Sequence, residues 1–464
     1  MFRTLFPIAA FILGVAPAYL FAQSAQPVTP DAPGGSHAST DLRVDGANPD
    51  GWLFPITQLD RSLPSWLQFG GQFRDRVEGQ LGLAYNPVND GYDLTQLRLG
   101  IYIQPTHWLE FVGVTQDSRA FFNHHVANAP PYQNIWDVRE AYVRLGSEHE
   151  GWFDAVAGRQ MLSFGDERVI GPSDWSNMGR TFDVARIDVH PSGVMVSIFA
   201  ASVIFARDGV VDHHFEGNNL YGVYTSFSRI LPHSTIEPYL LWRVAPPNIR
   251  LAENAGHGAL SEVTGGIRAA GDVPANLDYD VEMNWQTGSL GPYTIDAWAG
   301  HWNLGYTFKD SRIKPRPFVE YNYATGNKNP NGTTWGTHDQ IYASAHNKMD
   351  FADQFGWKNI KDLRAGVIEK IAAKWTLMEY NNDVWLATRN DALYASSGAI
   401  SIAAHPGATS NHVGDEIDLI AEYQQNKHMT YGFGIGHLFT GRFLNETTKG
   451  KDYNYPFAYA TYVF

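Results

Sequence analysis

The residues from Trp66 to Gln80 read WLQFGGQFRDRVEGQ, and this stretch decides the fold class. Successive side chains of an extended strand point to opposite faces, so Leu67, Phe69, Phe73 and Val77 share one face. The opposite face carries Gln68, Gln72, Arg74, Arg76 and Glu78. A strand of a soluble sandwich has the same period. Arginines and carboxylates on the polar face are more typical of a wall between lipid and a water-filled lumen.

The same alternation recurs in later stretches of the chain. Their apolar faces are Leu97, Leu99, Ile101 and Ile103, then Ile417, Leu419, Ala421 and Tyr423, then Tyr431, Phe433 and Ile435. Short turns are predicted at 105–106 and 190–193, and long polar connections at 122–133, 248–260, 325–361 and 389–414. We therefore predict an all-β, transmembrane, antiparallel up-and-down β-barrel of about 18 strands, with short periplasmic turns and long extracellular loops.

The composition agrees with this fold class and excludes others. Aromatic residues make up 14% of the chain and charged residues 18%, the latter below the roughly 25% of soluble domains. The absence of cysteine excludes disulfides, thiolate metal sites and a lipid-anchored lipoprotein. A formal net charge of −14 argues against nucleic acid as a partner. The long apolar run from Val194 to Ala206 has the length of a membrane strand, with a buried helix as the alternative.

The two ends of the chain carry features of export and assembly. Arg3, the apolar run from Leu5 to Leu20 and the small Ala22 form the pattern of a Sec-type signal peptide, with a membrane-anchor helix as the alternative. The predicted segments are a cleaved signal over 1–22, a periplasmic lead-in over 23–64 and the barrel over 65–464. The terminal Phe464 resembles the assembly signal of outer-membrane barrels. The expected partners therefore include the barrel-assembly machinery and outer-membrane lipid.

Several segments resemble the alginate export family of outer-membrane porins. The most specific block contains Gly158-Arg159-Gln160, Phe164-Gly165-Asp166-Glu167-Arg168, Gly171-Pro172-Ser173-Asp174-Trp175-Ser176-Asn177, Gly179-Arg180-Thr181-Phe182-Asp183 and Arg186. Further matches are Tyr323 to Pro330, His346, Asp353, Asn359-Ile360, Val413 to Asp418 and Gly436 to Gly441. The resemblance extends over most of the chain after Leu67 and implies a porin barrel of about 18 strands. Asn327 departs from the family's pattern, which favours aspartate, so a cation site in that loop is not implied.

Arginine suits a lumen that conducts carboxylated solutes. Its guanidinium group stays charged and presents a planar fork of donors that matches a carboxylate. The candidate residues that contact solute in the lumen are Arg74, Arg76, Arg98, Arg159, Arg168, Arg180, Asp183 and Arg186. The alternative is that the arginines brace the wall by pairing across strands with Asp75, Glu78, Asp166, Asp183 and Asp188. Both interpretations can hold for the same arginine.

Other chemistry is not indicated by the sequence. It contains no G-x-S-x-G, phosphate-loop or H-E-x-x-H motif. Neighbouring side chains on a strand point to opposite faces, so the pairs His124-His125 and His213-His214 do not form a metal clamp. We therefore expect no catalytic residues, no cofactor and no bound metal. Trp175 and Tyr102 are candidates for stacking on sugar rings or for the aromatic girdle at the membrane interface.

These features together predict a channel and not an enzyme. The predicted function is passive transport of polar, anionic saccharides or similar small solutes across the bacterial outer membrane. Two alternatives remain at this point: a barrel enzyme that acts on lipid or polysaccharide, and a secreted carbohydrate-binding β-protein. The outward faces of the strands separate the last alternative from the other two, because a soluble protein needs polar outward faces.

Overall fold

The computed structural model describes residues 42–43, 62–147, 151–247, 257–372 and 374–464. Within these residues, eighteen long strands form one closed antiparallel barrel. They are β1 (Leu67–Leu81), β2 (Asn89–Thr106), β3 (Leu109–Phe121), β4 (Asn134–Gly146), β5 (Phe153–Gln160), β6 (Phe182–Val189), β7 (Val194–Phe205), β9 (Asn219–Phe227), β10 (Ser234–Ala245), β11 (Leu260–Val273), β12 (Leu277–Leu290), β13 (Tyr293–Tyr306), β14 (Arg316–Ala324), β16 (Ile360–Ile371), β17 (Trp375–Leu386), β20 (His412–Asn426), β21 (Met429–Thr440) and β22 (Tyr453–Val463). The predicted fold class and strand number are confirmed.

Four short strands and one helix lie in the loops. They are β8 (His213–His214), β15 (Thr334–Trp335), β18 (Leu393–Tyr394), β19 (Ile400–Ile402) and α1 (Arg442–Thr447). A single 3-10 turn follows β1 at Leu83–Tyr85. Among the described residues, no helix has the length and apolar character needed to cross a membrane.

The barrel closes between its first and last strands. Each long strand pairs with its sequence neighbour, and β1 pairs with both β2 and β22. The seam continues to the last residue, because Gly71 and Phe464 exchange two backbone hydrogen bonds of 2.8 Å. A closed barrel satisfies every strand without leaving an edge, as lipid requires.

The two faces of the strands differ as the alternation predicts. Phe73, Leu99, Leu419 and Phe433 are between 38% and 49% exposed on the outside of the barrel. Arg74, Arg76 and Glu78 are buried on the inside. An apolar outward face and a polar inward face are what a membrane barrel needs, and they contradict the alternative of a soluble carbohydrate-binding protein.

The connections at the two ends of the barrel differ in length. At the end where β1 begins, the connections are short, such as 107–108, 190–193 and 427–428. At the other end they include the long loops 122–133, 161–181, 206–218, 325–359, 387–411 and 441–452. The predicted long connections near 122–133, 325–361 and 389–414 are confirmed. The loop 161–181, which proves central to the site, was not among them.

The N-terminal predictions fall mostly outside the described residues. This applies to the signal peptide over 1–22 and to most of the lead-in over 23–64. Within the lead-in, Leu42 and Arg43 lie against the inner wall near the beginning of β1. The Leu42 amide donates to the Tyr102 hydroxyl at 2.8 Å, and Arg43 pairs with Glu110 at 3.2 Å.

Candidate functional site

Two long loops fold into the lumen and pair with each other. We call residues 161–181 inner loop A and residues 325–359 inner loop B. The Gly171 amide donates to the Tyr342 carbonyl, and the Tyr342 amide donates to the Val169 carbonyl, both at 2.9 Å. Farther along, the Trp175 and His346 rings stack with their centroids 4.2 Å apart. The two loops together form a constriction inside the barrel.

Inner loop A is held by a group of arginines on β1, β2 and β4, which we call the basic wall. Arg74 donates to the carbonyls of Asp174 and Trp175 at 2.8 and 3.2 Å. The Arg76 guanidinium lies 4.1 Å from the centre of the Trp175 ring. The basic wall consists of Arg74, Arg76, Arg98 and Arg139, with Glu78 and Glu140 as neighbouring carboxylates.

Asp174 is the anionic contact between loop A and this wall. Its carboxylate accepts two hydrogen bonds from Arg98, at 2.5 and 3.1 Å, and one from Arg139 at 2.9 Å. Partial burial raises the pKa of Asp174, but the two guanidinium groups outweigh it and hold the pKa well below its usual range. The Asp174 side chain remains 43% exposed, so solute in the lumen can reach this cluster.

Inner loop B and the end of loop A are anchored on the far side of the lumen. Arg168 of loop A pairs with Glu320 on β14 at 3.0 Å. Lys348 of loop B pairs with Asp166 of loop A at 2.5 Å, and Arg243 on β10 pairs with Asp339. Each of these groups is largely buried, so the ion pairs act at low local dielectric and fix the loops firmly.

His338 fixes loop B without carrying a charge. Its Nδ1 lies 2.9 Å from the Trp357 carbonyl and its Nε2 lies 2.8 Å from the side-chain amide of Asn284. Burial lowers the pKa of His338 to about 3, so the ring is neutral at physiological pH.

The wall that faces the basic wall is acidic. Its buried and half-buried inward carboxylates, from β10 to β20, are Glu237, Glu262, Asp278, Asp280, Glu282, Glu320, Asp362, Glu416, Asp418 and Glu422. The inward arginines on the same strands are Arg243, Arg268, Arg316 and Arg364. Carboxylates therefore exceed arginines by more than two to one on this acidic wall. On β1 to β4 the inward charges are nearly balanced in number, with Arg74, Arg76, Arg98, Arg139 and Arg144 against Glu78, Asp90, Glu110 and Glu140.

Comparison with known proteins settles the family. The model of the family described as alginate export matches residues 65–458. The chain belongs to the alginate export family. No curated protein sequence matches it.

Solved porins share the fold of this alginate export family member. Pseudomonas aeruginosa OccD3 (OpdP) has a TM-score of 0.56 and 13% identity, over 86% of this chain and 91% of that one. Pseudomonas aeruginosa OpdK, crystallised with vanillate, has a TM-score of 0.57 and 8% identity, over 86% and 98% of the two chains. Pseudomonas aeruginosa OccK8 (OprE) has a TM-score of 0.56 and 9% identity, over 86% and 98%. The family and the fold together establish an outer-membrane channel protein.

Six of the eight candidate lumen residues lie inside the barrel. Arg74, Arg76, Arg98 and Arg186 point inward from their strands, and Arg168 and Arg180 belong to inner loop A. Arg180 donates to the carbonyls of Gly171 and Ala343, both at 3.0 Å, so it ties loop A to loop B.

The other two, Arg159 and Asp183, lie on the outer face, so their predicted position in the lumen is wrong. On β5 the inward positions are Asp154, Val156 and Gln160, which leaves Arg159 facing outward. Asp183 is its partner in the β5–β6 register, and the two side chains pair at 3.1 Å. The orientation of Arg159 could not be predicted, because its outward neighbours Ala155 and Ala157 are small and do not form a recognisable apolar face.

The arginines of this alginate export family barrel pair with most of the predicted carboxylates, but only Arg159–Asp183 braces neighbouring strands, and the other pairs lie within one strand or loop. Arg76–Glu78 pair at 2.5 Å, Arg168–Asp166 at 3.1 Å and Arg186–Asp188 at 2.8 Å. The Asp75 side chain does not face the lumen, because it shares the outward face of β1 with Phe73 and Val77.

Several functional residues were missed by the sequence reasoning. Arg139 lies on β4, where a register shift against β3 near Val114 and Thr115 breaks the alternation. The inward arginines of the acidic wall, Arg243, Arg268, Arg316 and Arg364, were also not predicted.

The two aromatic candidates occupy neither girdle. Tyr102 is buried on the inner wall, where its hydroxyl meets Leu42, and Trp175 lies in the constriction.

The histidine pairs also differ from a metal clamp. The amides of His124 and His125 bind the Asp90 carboxylate, and His214 bonds to Asp183 at 2.7 Å.

Proposed function

We propose that this alginate export family channel passes small anionic polar solutes, including acidic saccharides, by passive diffusion. The observation that carries the proposal is the separation of charge across the constriction, with the basic wall on β1 to β4 and the acidic wall on β10 to β20. In a narrow lumen the local dielectric is below that of bulk water, so a transverse field of this kind orients a charged solute as it passes.

Two arginines of the described residues carry a positive charge that no neighbouring carboxylate pairs with, so this charge can act on a solute. Among the described residues, no carboxylate lies within ion-pair distance of Arg74 or of Arg180, and both donate only to backbone carbonyls. Burial lowers the pKa of Arg180 to about 10, which still leaves it charged at neutral pH. A carboxylated solute can therefore exchange weak contacts with half-buried Arg180 and leave again, as conduction requires, while buried Arg74 acts on the solute through its field.

A carboxylated ligand is compatible with this barrel type. The similar porin OpdK was crystallised with vanillate, which is a carboxylate. At 8% identity that likeness concerns the fold, so the solute class of this chain rests on its own arginines.

Reversal potentials in planar bilayers test the proposal. We expect wild-type channels in a salt gradient to prefer anions, and Arg74→Gln with Arg180→Gln to shift the reversal potential towards cations. Glutamine keeps hydrogen-bond donors for the loop carbonyls while it removes the charge. The matched control is Arg159→Gln on the outer face, which leaves the selectivity unchanged. Equal reversal potentials for wild type and the double variant would contradict the role of these arginines.

A further inference from the structure

A small apolar pocket lies on the inner wall of the barrel, near the end with the short connections. It is formed by buried inward side chains of β2, β3, β4 and β5, each within five residues of that end of its strand: Tyr102, Val112, Val114, Tyr142 and Val156. Apolar side chains that face a water-filled lumen gain free energy when an apolar group covers them. The pocket therefore favours an apolar occupant.

Leu42 of the N-terminal lead-in fills this pocket. Its side chain is only 2% exposed and packs in one cluster with the five pocket residues. Its backbone amide donates to the Tyr102 hydroxyl at 2.8 Å. A buried amide needs such an acceptor, so the wall offers Leu42 both an apolar surface and a hydrogen-bond partner.

Arg43 adds polar contacts beside the pocket. Its guanidinium group lies 3.2 Å from the Glu110 carboxylate on β3, 3.5 Å from the side-chain oxygen of Gln68, and 4.5 Å from the centre of the Tyr102 ring. Arg144 on β4 pairs with the same Glu110 at 3.4 Å. Because Glu110 is largely buried, its charge needs cationic partners, and Arg43 supplies one of them.

Two glycines of the wall leave room for these contacts. Gly70 on β1 and Gly100 on β2 are register partners and share the inward faces of their strands. A Cβ atom added at Gly70 would lie 2.5 Å from the carbonyl carbon and oxygen of Leu42, and one at Gly100 would lie 2.9 Å from the Tyr102 ring. Neither glycine has a positive φ, so space and not backbone conformation requires glycine here. Any larger residue at Gly70 collides with the backbone of the lead-in.

The seat of Leu42 lies at a different level of the lumen from the inner loops. Gly70 and Arg74 share the inward face of β1, and four residues of a strand span about 13 Å. Arg74 is the residue that donates to loop A. Leu42 therefore lies farther towards the end with the short connections than the constriction formed by loops A and B.

We propose that the pocket is a docking site for the lead-in, and that the docked Leu42 and Arg43 form a second constriction inside the barrel at the end with the short connections. Residues that are held against the wall from inside take up part of the cross-section that solute would otherwise use. The inference goes beyond the proposed anion selectivity, which rests on Arg74 and Arg180. A second constriction narrows the path whatever charge the solute carries.

Thiol labelling tests the docking. The chain has no cysteine, so the variants Leu42→Cys and Ser62→Cys each carry a single thiol, and exposed Ser62 gives the reference rate. In refolded full-length protein in detergent, we expect a water-soluble maleimide to label Leu42→Cys at least on the order of tenfold more slowly than Ser62→Cys, because only the undocked segment exposes the thiol. Addition of Gly70→Ala should bring the rate close to the reference.

A second glycine of the barrel provides the matched control. A Cβ atom added at Gly91 on β2 would have its nearest contact at 3.8 Å, so Gly91→Ala should leave the Leu42→Cys labelling slow. Equal labelling rates for Leu42→Cys and Ser62→Cys would overturn the docking. So would fast labelling in the Gly91→Ala background, because undocking would then not depend on the space at Gly70.

Single-channel recordings test the second constriction. Leu42→Gln lies outside the strands, so the barrel still forms, and it buries an unpaired amide if the segment stays docked. We expect Leu42→Gln and Gly70→Ala to raise the conductance by a similar factor, and Gly91→Ala to conduct like wild type. Conductance that is unchanged or lower in both undocking variants would overturn the proposal. These outcomes do not depend on ion preference, so they are separate from the reversal-potential test of Arg74 and Arg180.

Discussion

At the scale of single residues, Asp174 decides how firmly inner loop A is held. It receives three hydrogen bonds from Arg98 and Arg139. We expect Asp174→Asn to weaken the docking of the loop by about 1–2 kcal/mol, near the low end for charged hydrogen bonds because the group is partly exposed. Single-channel recordings should then show a larger and noisier conductance. The control Asp183→Asn lies outside the lumen and should conduct like wild type; identical noise in both variants would refute this role for Asp174.

The stability of the docked position of loop B depends on pH through His338. The docked ring has a pKa of about 3 and the free ring the ordinary 6.5, so below pH 6.5 only the undocked loop gains a proton. Docking is fully favourable above pH 6.5 and weakens by about 1.4 kcal/mol per pH unit below it. Proteolysis of loop B should therefore be faster at pH 5.5 than at pH 7.5. His338→Gln should remove its contribution to that difference, and an unchanged pH slope in the variant would argue against it.

The sequence predicted the inward orientation of those residues whose strands alternate regularly between apolar and polar side chains. Arg74, Arg76 and Arg98 were predicted to face the lumen, and they do. The orientation of Arg159 was predicted wrongly, because the outward side chains beside it on β5 are small alanines and do not mark the outward face. The partners of these arginines could not be predicted, because Asp174 reaches Arg98 only through the path of a loop across the lumen.

At the scale of elements, the seam between β1 and β22 depends on the last residue. Phe464 bonds to the Gly71 backbone, and a Cβ atom at Gly71 would lie 2.4 Å from the Phe464 ring. We propose that the barrel-assembly machinery recognises this terminal strand. Deletion of Phe464 should lower the amount of folded, heat-modifiable barrel in outer-membrane fractions. Phe464→Tyr serves as the conservative control and should assemble normally. Equal yields from the deletion and the wild type would count against the proposal.

The strands could be predicted from the sequence and the inner loops could not. A strand in this wall is defined by local alternation, because lipid lies on one side and water on the other. The inward course of loops A and B depends on contacts between distant residues, such as Arg168 with Glu320 and Arg243 with Asp339. No local pattern encodes such contacts. The block from Gly158 to Arg186 therefore indicated the resemblance to the alginate export family but not the inward course of loop A.

At the scale of the whole molecule, the constriction controls the open area of the barrel. Replacement of residues 340–352 in loop B by a short Gly-Ser linker removes the partner of loop A while all long strands stay intact. We expect conductance to rise and charge selectivity to fall, since solute then passes farther from the basic wall. Planar-bilayer recordings measure both quantities. As a control, the exposed turn residues 107–108 at the opposite end of the barrel can be replaced by Gly-Ser, which should change neither. A shortened loop B that leaves conductance as in wild type would show that the barrier lies elsewhere.

The backbone pairing between the two inner loops has a consequence for the kinetics of the pore. Loop A cannot swing aside while it shares hydrogen bonds with Tyr342, and loop B is bound by the same bonds. Displacement of either loop therefore breaks all the backbone hydrogen bonds between the two loops together. Single-channel current should then switch between two conductance levels and not change gradually through intermediate levels.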